Sequence, residues 1–155
     1  MTTKQARLQH ANDLIRVIAS HGRQFFFHAG VNVYDPKTKT TTWESAERYA
    51  RLELHNGRVY FVDDYTQKAV YTHKTGITNR WRGFSHGGTL RALVEDMRDY
   101  VIHGTKIQRW KIVIQSMNHD DLTGNIWGYG LEAGNDVRKA AYVLPIIEDE
   151  STEPK

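Results

Sequence analysis

Arg80-Trp81-Arg82 and the Gly87-Gly88 pair are the residues of this chain whose types and spacing best fit a ligand. Two guanidinium groups flank an indole, and a glycine pair follows where a helix is expected to begin. Helix N-termini expose unpaired N–H groups and a partial positive charge, and paired glycines let a phosphate approach the backbone. Arginine adds bidentate contacts to phosphate, and tryptophan a stacking surface. The candidate phosphate or nucleic-acid site in this run comprises Arg80, Trp81, Arg82, Ser85, His86, Gly87, Gly88 and Thr89. The competing reading puts Trp81 and Phe84 in the core and makes the glycines a tight turn, because a lone Gly-Gly is a weak motif.

A second patch comes from the middle of the chain. Tyr49, Arg51, Arg58, Tyr60, Tyr71 and His73 share one face of a sheet if the registers allow it, and Arg58 and Tyr60 join the candidate binding residues. Aromatics mixed with arginines on a sheet are what single-stranded nucleic-acid binders use. A slip of one residue sends the same side chains into the core, and tyrosine is common in ordinary strands.

Catalysis has weaker support. His73-Lys74-Thr75 and His103-Gly104-Thr105 both read His-x-Thr, a pairing used by two-histidine phosphoesterases, but eight histidines make a chance match expected. His119-Asp120-Asp121 and Asp63-Asp64 lack the spaced partners of a metal centre, and neighbours on a strand point to opposite faces. Without cysteine there is no thiol chemistry, disulfide framework or thiolate zinc site. No catalytic residue, metal or cofactor is assigned. Trp127-Gly128-Tyr129-Gly130 reads as a turn covering the core or as a partner-contact loop.

These candidates depend on the elements that carry them. Leu8, Ala11, Leu14, Ile15 and Ile18 recur at helical spacing and predict a first helix over about 3–20. Phe25–Phe27 reads as a short strand ended by Gly30, Val31–Tyr34 as another, and Asp35–Thr42 as a polar loop. Period-two alternation predicts a strand over Tyr49–Leu54, the Asn56-Gly57 turn a hairpin, and Arg58–Asp63 and Ala69–His73 the rest of an antiparallel meander. Arg80–Phe84 adds an edge strand. Ser85–Thr89 opens a helix with Leu90, Leu93, Val94, Met97 and Val101 on one face and an Arg91, Glu95, Arg98 ladder on the other, ended by Gly104. Trp110–Ile114 reads as a strand, and Asp136 as the cap of a helix over Val137–Leu144. The expected fold is a single α+β domain over 1–147, an antiparallel three- to five-stranded sheet with helices packed on one face.

Composition bounds the partner. Glu148, Asp149, Glu150 and Glu153 make 148–155 an acidic tail, expected to be disordered, so the body is more basic than the chain's overall +3. That balance favours an anionic partner. No apolar run reaches the roughly 18 to 20 residues of a membrane helix, and the first residues lack a signal-peptide core. The expected location is the bacterial cytoplasm.

Gly22-Arg23, Phe25-Phe26-Phe27-His28, Arg58–Tyr65 and the run Trp81–Leu90, together with Tyr100 and Gly104, resemble small accessory proteins encoded by bacteriophages and mobile elements of proteobacteria. The likeness spans about 12–104, and its most specific part is Trp-Arg-Gly-Phe-Ser-His-Gly-Gly-Thr-Leu. It implies a phage context and brings no activity or site residues. Three functions follow in rank: a DNA- or RNA-binding accessory factor, an inhibitor of a host defence or transcription protein, and a binder or hydrolase of a small phosphorylated signal nucleotide.

Overall fold

The structure is a computed structural model, and it describes residues 3–21, 25–73, 83–85, 88–109 and 131–149. Three helices and two antiparallel sheets give the α+β fold that the sequence predicts. Helix α1 spans Lys4–Ser20 and is capped by Thr3, whose Oγ1 accepts the Ala6 N–H at 3.1 Å. Its periodic residues Ala11, Leu14, Ile15 and Ile18 are fully buried. Strands β1 (Phe27–Asp35) and β2 (Thr40–Tyr49) form a two-stranded hairpin. Strands β3 (Arg51–His55), β4 (Arg58–Val62) and β5 (Ala69–Tyr71) form the meander, in the order β3-β4-β5. Helix α2 covers Gly88–His103 and helix α3 Leu131–Tyr142.

The meander follows the predicted alternation. Leu52, Val59, Phe61 and Val70 are buried against the helices, with α1 on β3 and α2 on β4. Asn56 and Gly57 both adopt positive φ (52° and 76°), as the two-residue β3–β4 turn requires. The outer edge of β3 is met by a side chain at Leu52. Asn12 of α1 donates from Nδ2 to the Leu52 carbonyl at 3.0 Å and accepts the Leu52 N–H at 2.7 Å. One amide thereby pairs both outward backbone groups of Leu52, as a neighbouring strand would.

Helix α2 buries Leu90, Leu93, Val94, Met97 and Val101, and its Arg91–Glu95 and Arg98–Glu95 pairs (3.8 and 3.9 Å) form the expected outer ladder. Gly104 ends it at φ 77°, its N–H donating to the Tyr100 carbonyl at 2.8 Å. Arg7 of α1 donates to the last carbonyls of the helix, from Nε to Val101 at 2.9 Å and from Nη2 to Ile102 at 3.3 Å, tying the two helices together. Arg98 donates to the Thr72 carbonyl and fixes α2 against the end of the meander.

Several expectations are corrected. The strand of Phe27 does not end at Gly30, and Asp35–Thr42 is not a loop: β1 runs unbroken to Asp35, the turn holds only 36–39, and Thr40 begins β2. Thr40-Thr41-Thr42 has the β-branched character of a strand, but the ribbon is exposed on both sides, so no apolar alternation marks it. Tyr49–Leu54 is not one strand. The chain leaves the hairpin at Ala50, whose N–H donates to Phe26 O at 2.9 Å, and enters the other sheet at Arg51. Phe26, buried with φ 67°, lies with Phe25 in the turn before β1, so neither is a strand residue. Asp136 caps nothing: α3 begins at Leu131 and carries Gly134 and Asn135 inside it. Burial of Val137 and Ala141 outweighs the weak helix propensity of those two residues.

Of the segments read from sequence, Trp110–Ile114, His119–Asp121 and Trp127–Gly130 lie outside the described residues, as does 80–82 of the proposed edge strand. Gly83 and Phe84 are not in a strand. No helix among the described residues is long and apolar enough to cross a membrane.

Candidate nucleic-acid interface

Register decides which side chains share the outward face of the meander. Glu53 stands opposite Tyr60, His55 opposite Arg58, and Tyr60 opposite Tyr71, so Arg51, His55, Arg58, Tyr60 and Tyr71 lie on the face away from the helices. Four of the six residues expected to share a face therefore do so on the strands themselves. Tyr49 does not: it belongs to β2, packs on Phe27 at 4.8 Å and carries the Arg16 guanidinium 3.5 Å above its ring.

His73 follows β5 and extends the same face. The ring centroids of His55, Tyr60, Tyr71 and His73 run in sequence at 5.6, 5.4 and 5.4 Å, an aromatic row across all three strands. Arg58 lies with its guanidinium carbon 5.8 Å from the Tyr71 centroid. The row is thus flanked by exposed arginines at 51 and 58, with Tyr60 and Tyr71 half-buried. Stacked rings of this kind offer π-faces to bases, and the arginines offer charge to the backbone between them.

One acid sits among them. Glu53 accepts from Arg51 Nε at 2.9 Å and lies 3.0 Å from His55 Nε2. The hydrogen bond to His55 is the main influence lowering its pKa; burial, next in size, opposes it, and the hydrogen bond to Arg51 lowers it further. Arg51 is partly neutralised by this pair, which leaves Arg58 as the stronger cation of the face.

His73 is held by a backbone contact: its Nε2 accepts the Val59 N–H at 3.1 Å, beside the Thr72 hydroxyl that donates to Val59 O at 2.6 Å. An accepting nitrogen must be unprotonated. Burial lowers the imidazole pKa below the ordinary 6.5, Arg98 and Arg58 lower it further, and Asp99 opposes them. The native state therefore binds its proton less readily than the unfolded chain. The stabilising contribution is complete above about pH 6.5 and is lost as pH falls through the depressed value. Thermal melts at about pH 7.5 and about pH 5.5 should show a lower melting temperature in acid, and His73→Gln should reduce that difference.

The Gly-Gly candidate is placed only in part. Helix α2 does begin at Gly88, followed by Thr89. Arg80, Trp81, Arg82, His86 and Gly87 lie outside the described residues. Ser85 is described, and both its N–H and its hydroxyl donate to Asp63 Oδ1, at 2.8 and 3.0 Å. Phe84 packs on Phe61 at 5.2 Å, on the helix-covered side of the sheet. The approach to α2 and the aromatic row consequently lie on opposite faces, and Ser85 is not brought together with Arg58 and Tyr60.

Sequence reasoning gave Asp63 and Asp64 no role, and the structure separates them. Asp63 is fully buried and its second oxygen accepts the N–H groups of Tyr65 and Thr66, both at 2.9 Å. Asp64, equally buried, lies with Oδ2 2.6 Å from His28 Nδ1. Neither partner was visible along the chain, because His28 is 36 residues away from Asp64. No cluster of three or more His, Asp or Glu residues with metal-binding geometry occurs among the described residues.

Fold and face together define an α+β protein built around an open aromatic sheet surface. The chain belongs to the YoqU family, whose model matches residues 32–153. It is similar to the SPbeta prophage-derived uncharacterized protein YoqU of Bacillus subtilis (strain 168), with 28% identity over 144 residues, covering 92% of this chain and 83% of the relative. No solved structure matches the chain. The phage context expected from the sequence thus holds, whereas its placement in proteobacteria does not, since this relative belongs to a Bacillus prophage.

Proposed function

We propose that this phage-derived protein binds single-stranded nucleic acid across the outward face of β3, β4 and β5. The row His55, Tyr60, Tyr71 and His73, with Arg58 against Tyr71, is the observation that carries this reading. The sheet face supports it better than the helix start does. Ser85 there is already engaged by Asp63, while the rings of the row have exposed arginines beside them.

Fluorescence anisotropy with labelled single-stranded and duplex DNA and RNA, at two salt concentrations, is the test. Single strands should bind more tightly than duplexes, because only unpaired bases present a free face for stacking. Affinity should fall with salt. Tyr60→Ala/Tyr71→Ala should weaken single-strand binding at least about tenfold, since each stacked base contributes roughly 1–3 kcal/mol. Arg58→Ala should lower both the affinity and its salt dependence. Absence of binding at low salt, or full affinity in the double variant, refutes the proposal.

A second reading, contact with a host protein, draws on the hairpin. Tyr34 and Trp43 are large and exposed on a ribbon whose main packing is between its own two strands. Large aromatics of this kind act as interface anchors. A host-lysate pull-down whose recovered partner is lost with Tyr34→Ala/Trp43→Ala would favour it.

A further inference from the structure

A cavity lies away from the aromatic row, where the β1–β2 hairpin meets the turn after β4. It encloses about 710 Å³ and is lined by His28, Gly30, Asn32, Trp43 and Arg48 of the hairpin and by Tyr65 of the turn. That volume lies within the range of small-ligand sites. We infer that this cleft binds a small aromatic anion of the nucleoside-phosphate class, with the ring against Trp43 and the phosphate held between Arg48 and His28. The inference is independent of nucleic-acid binding on the meander, since no residue is shared.

The ring site rests on Gly30. A Cβ at this position would come within 2.6 Å of indole Cζ2 of Trp43 and 2.3 Å of Glu44 O, so the indole lies directly against the glycine backbone. One face of Trp43 is thus supported while 59% of the residue remains exposed. An indole fixed from behind and free in front is a stacking platform with little conformational freedom to lose. Tyr65, 57% exposed and with its ring 5.1 Å from that of His28, brings a second aromatic surface to the same cleft.

The charge pattern selects an anion. His28 and Arg48 are cross-strand partners, and no carboxylate is among the described residues that line the cleft. The β-bulge just beyond them, two steps on β1 against three on β2, locally twists the ribbon at this pair. Asp64 lies fully buried behind His28, at 2.6 Å from Nδ1, and a third of the His28 side chain is exposed. The carboxylate thereby occupies the Nδ1 side of the ring, and Nε2 is the nitrogen left for a ligand. A phosphate at Nε2 takes a hydrogen bond from the ring there, and Arg48 supplies further donors to the same oxygens.

Isothermal titration of the full-length chain with adenosine 5′-monophosphate, adenosine and inorganic phosphate tests this site. The nucleotide should bind at least about tenfold more tightly than either part, because only it engages ring and charge together. Trp43→Ala and Arg48→Ala should each cut its affinity at least about fivefold, with unchanged far-ultraviolet circular dichroism, and Trp43→Phe should restore most of the loss. Tyr60→Ala/Tyr71→Ala should leave nucleotide binding unaltered, which separates this cleft from the meander face. No heat with the nucleotide, full affinity in both cleft variants, or loss of affinity in the Tyr60/Tyr71 variant each overturns the inference.

Discussion

Asp63→Ala should destabilise the protein by about 3–5 kcal/mol, the largest effect expected from a polar substitution here. The carboxylate is fully buried and accepts four hydrogen bonds, from the N–H groups of Tyr65, Thr66 and Ser85 and from the Ser85 hydroxyl. Alanine removes every acceptor at once and leaves partly buried donors without partners, which costs more than the hydrogen bonds were worth on balance. Asp63→Asn retains one carbonyl oxygen and should recover part of the loss. In a chain of this length the alanine variant should melt roughly 10 °C lower. Because Asp63 joins the turn after β4 to the residue shortly before α2, hydrogen exchange should accelerate first in 63–68 and 83–85. A melting temperature within about 2 °C of the parent would show that water replaces the carboxylate.

Phe61→Ala should cost about 3–5 kcal/mol by a different route. Phe61 is fully buried on the helix-covered face of β4 and meets Phe26 at 5.6 Å and Phe84 at 5.2 Å, both edge-on. Truncation opens a cavity that these two rings can fill only by moving the backbone on either side. Phe26 is poorly placed to move, since its positive φ is held by burial and by the Ala50 N–H bond to its carbonyl. Denaturant unfolding should show a lower midpoint with little change in slope. Phe61→Leu should lose much less. Tyr60 and Tyr71 point the other way from Phe61, so the folded fraction of Phe61→Ala should retain the nucleic-acid affinity of the parent. A deficit in that fraction would mean that the outward row depends on packing behind it.

Legibility varied with how each segment is buried. Helix α1, helix α2 and the meander were readable because each hides one face, and burial of one face imposes a period of 3.6 or 2 on the residues. Leu90, Leu93, Val94, Met97 and Val101 all proved buried, and Arg51, Arg58, Tyr60 and Tyr71 took the expected common face. The hairpin was not readable. Val33, Tyr34 and Trp43 are exposed on a ribbon open on both sides, so nothing in Thr40–Tyr49 alternates. Gly30 misled for a related reason: it stays in the strand because Trp43 packs over it from the neighbouring strand.

The sequence by itself determined the α+β class, the two long helices, the Asn56-Gly57 turn and the pattern that makes the meander's outer face aromatic and basic. Each of these follows from local propensity, turn chemistry or periodicity over a few residues. Only the tertiary structure decided that Tyr49 and Arg51 belong to different sheets, and that Asn12 pairs with Leu52 at the edge of β3. The same holds for Ser85, which is bound to Asp63, and for His28, which meets Asp64. The physical reason is that these are single contacts between residues far apart in the chain, carrying no repeat for a period to reveal. They exist because buried polar groups must find partners wherever the fold brings one within reach.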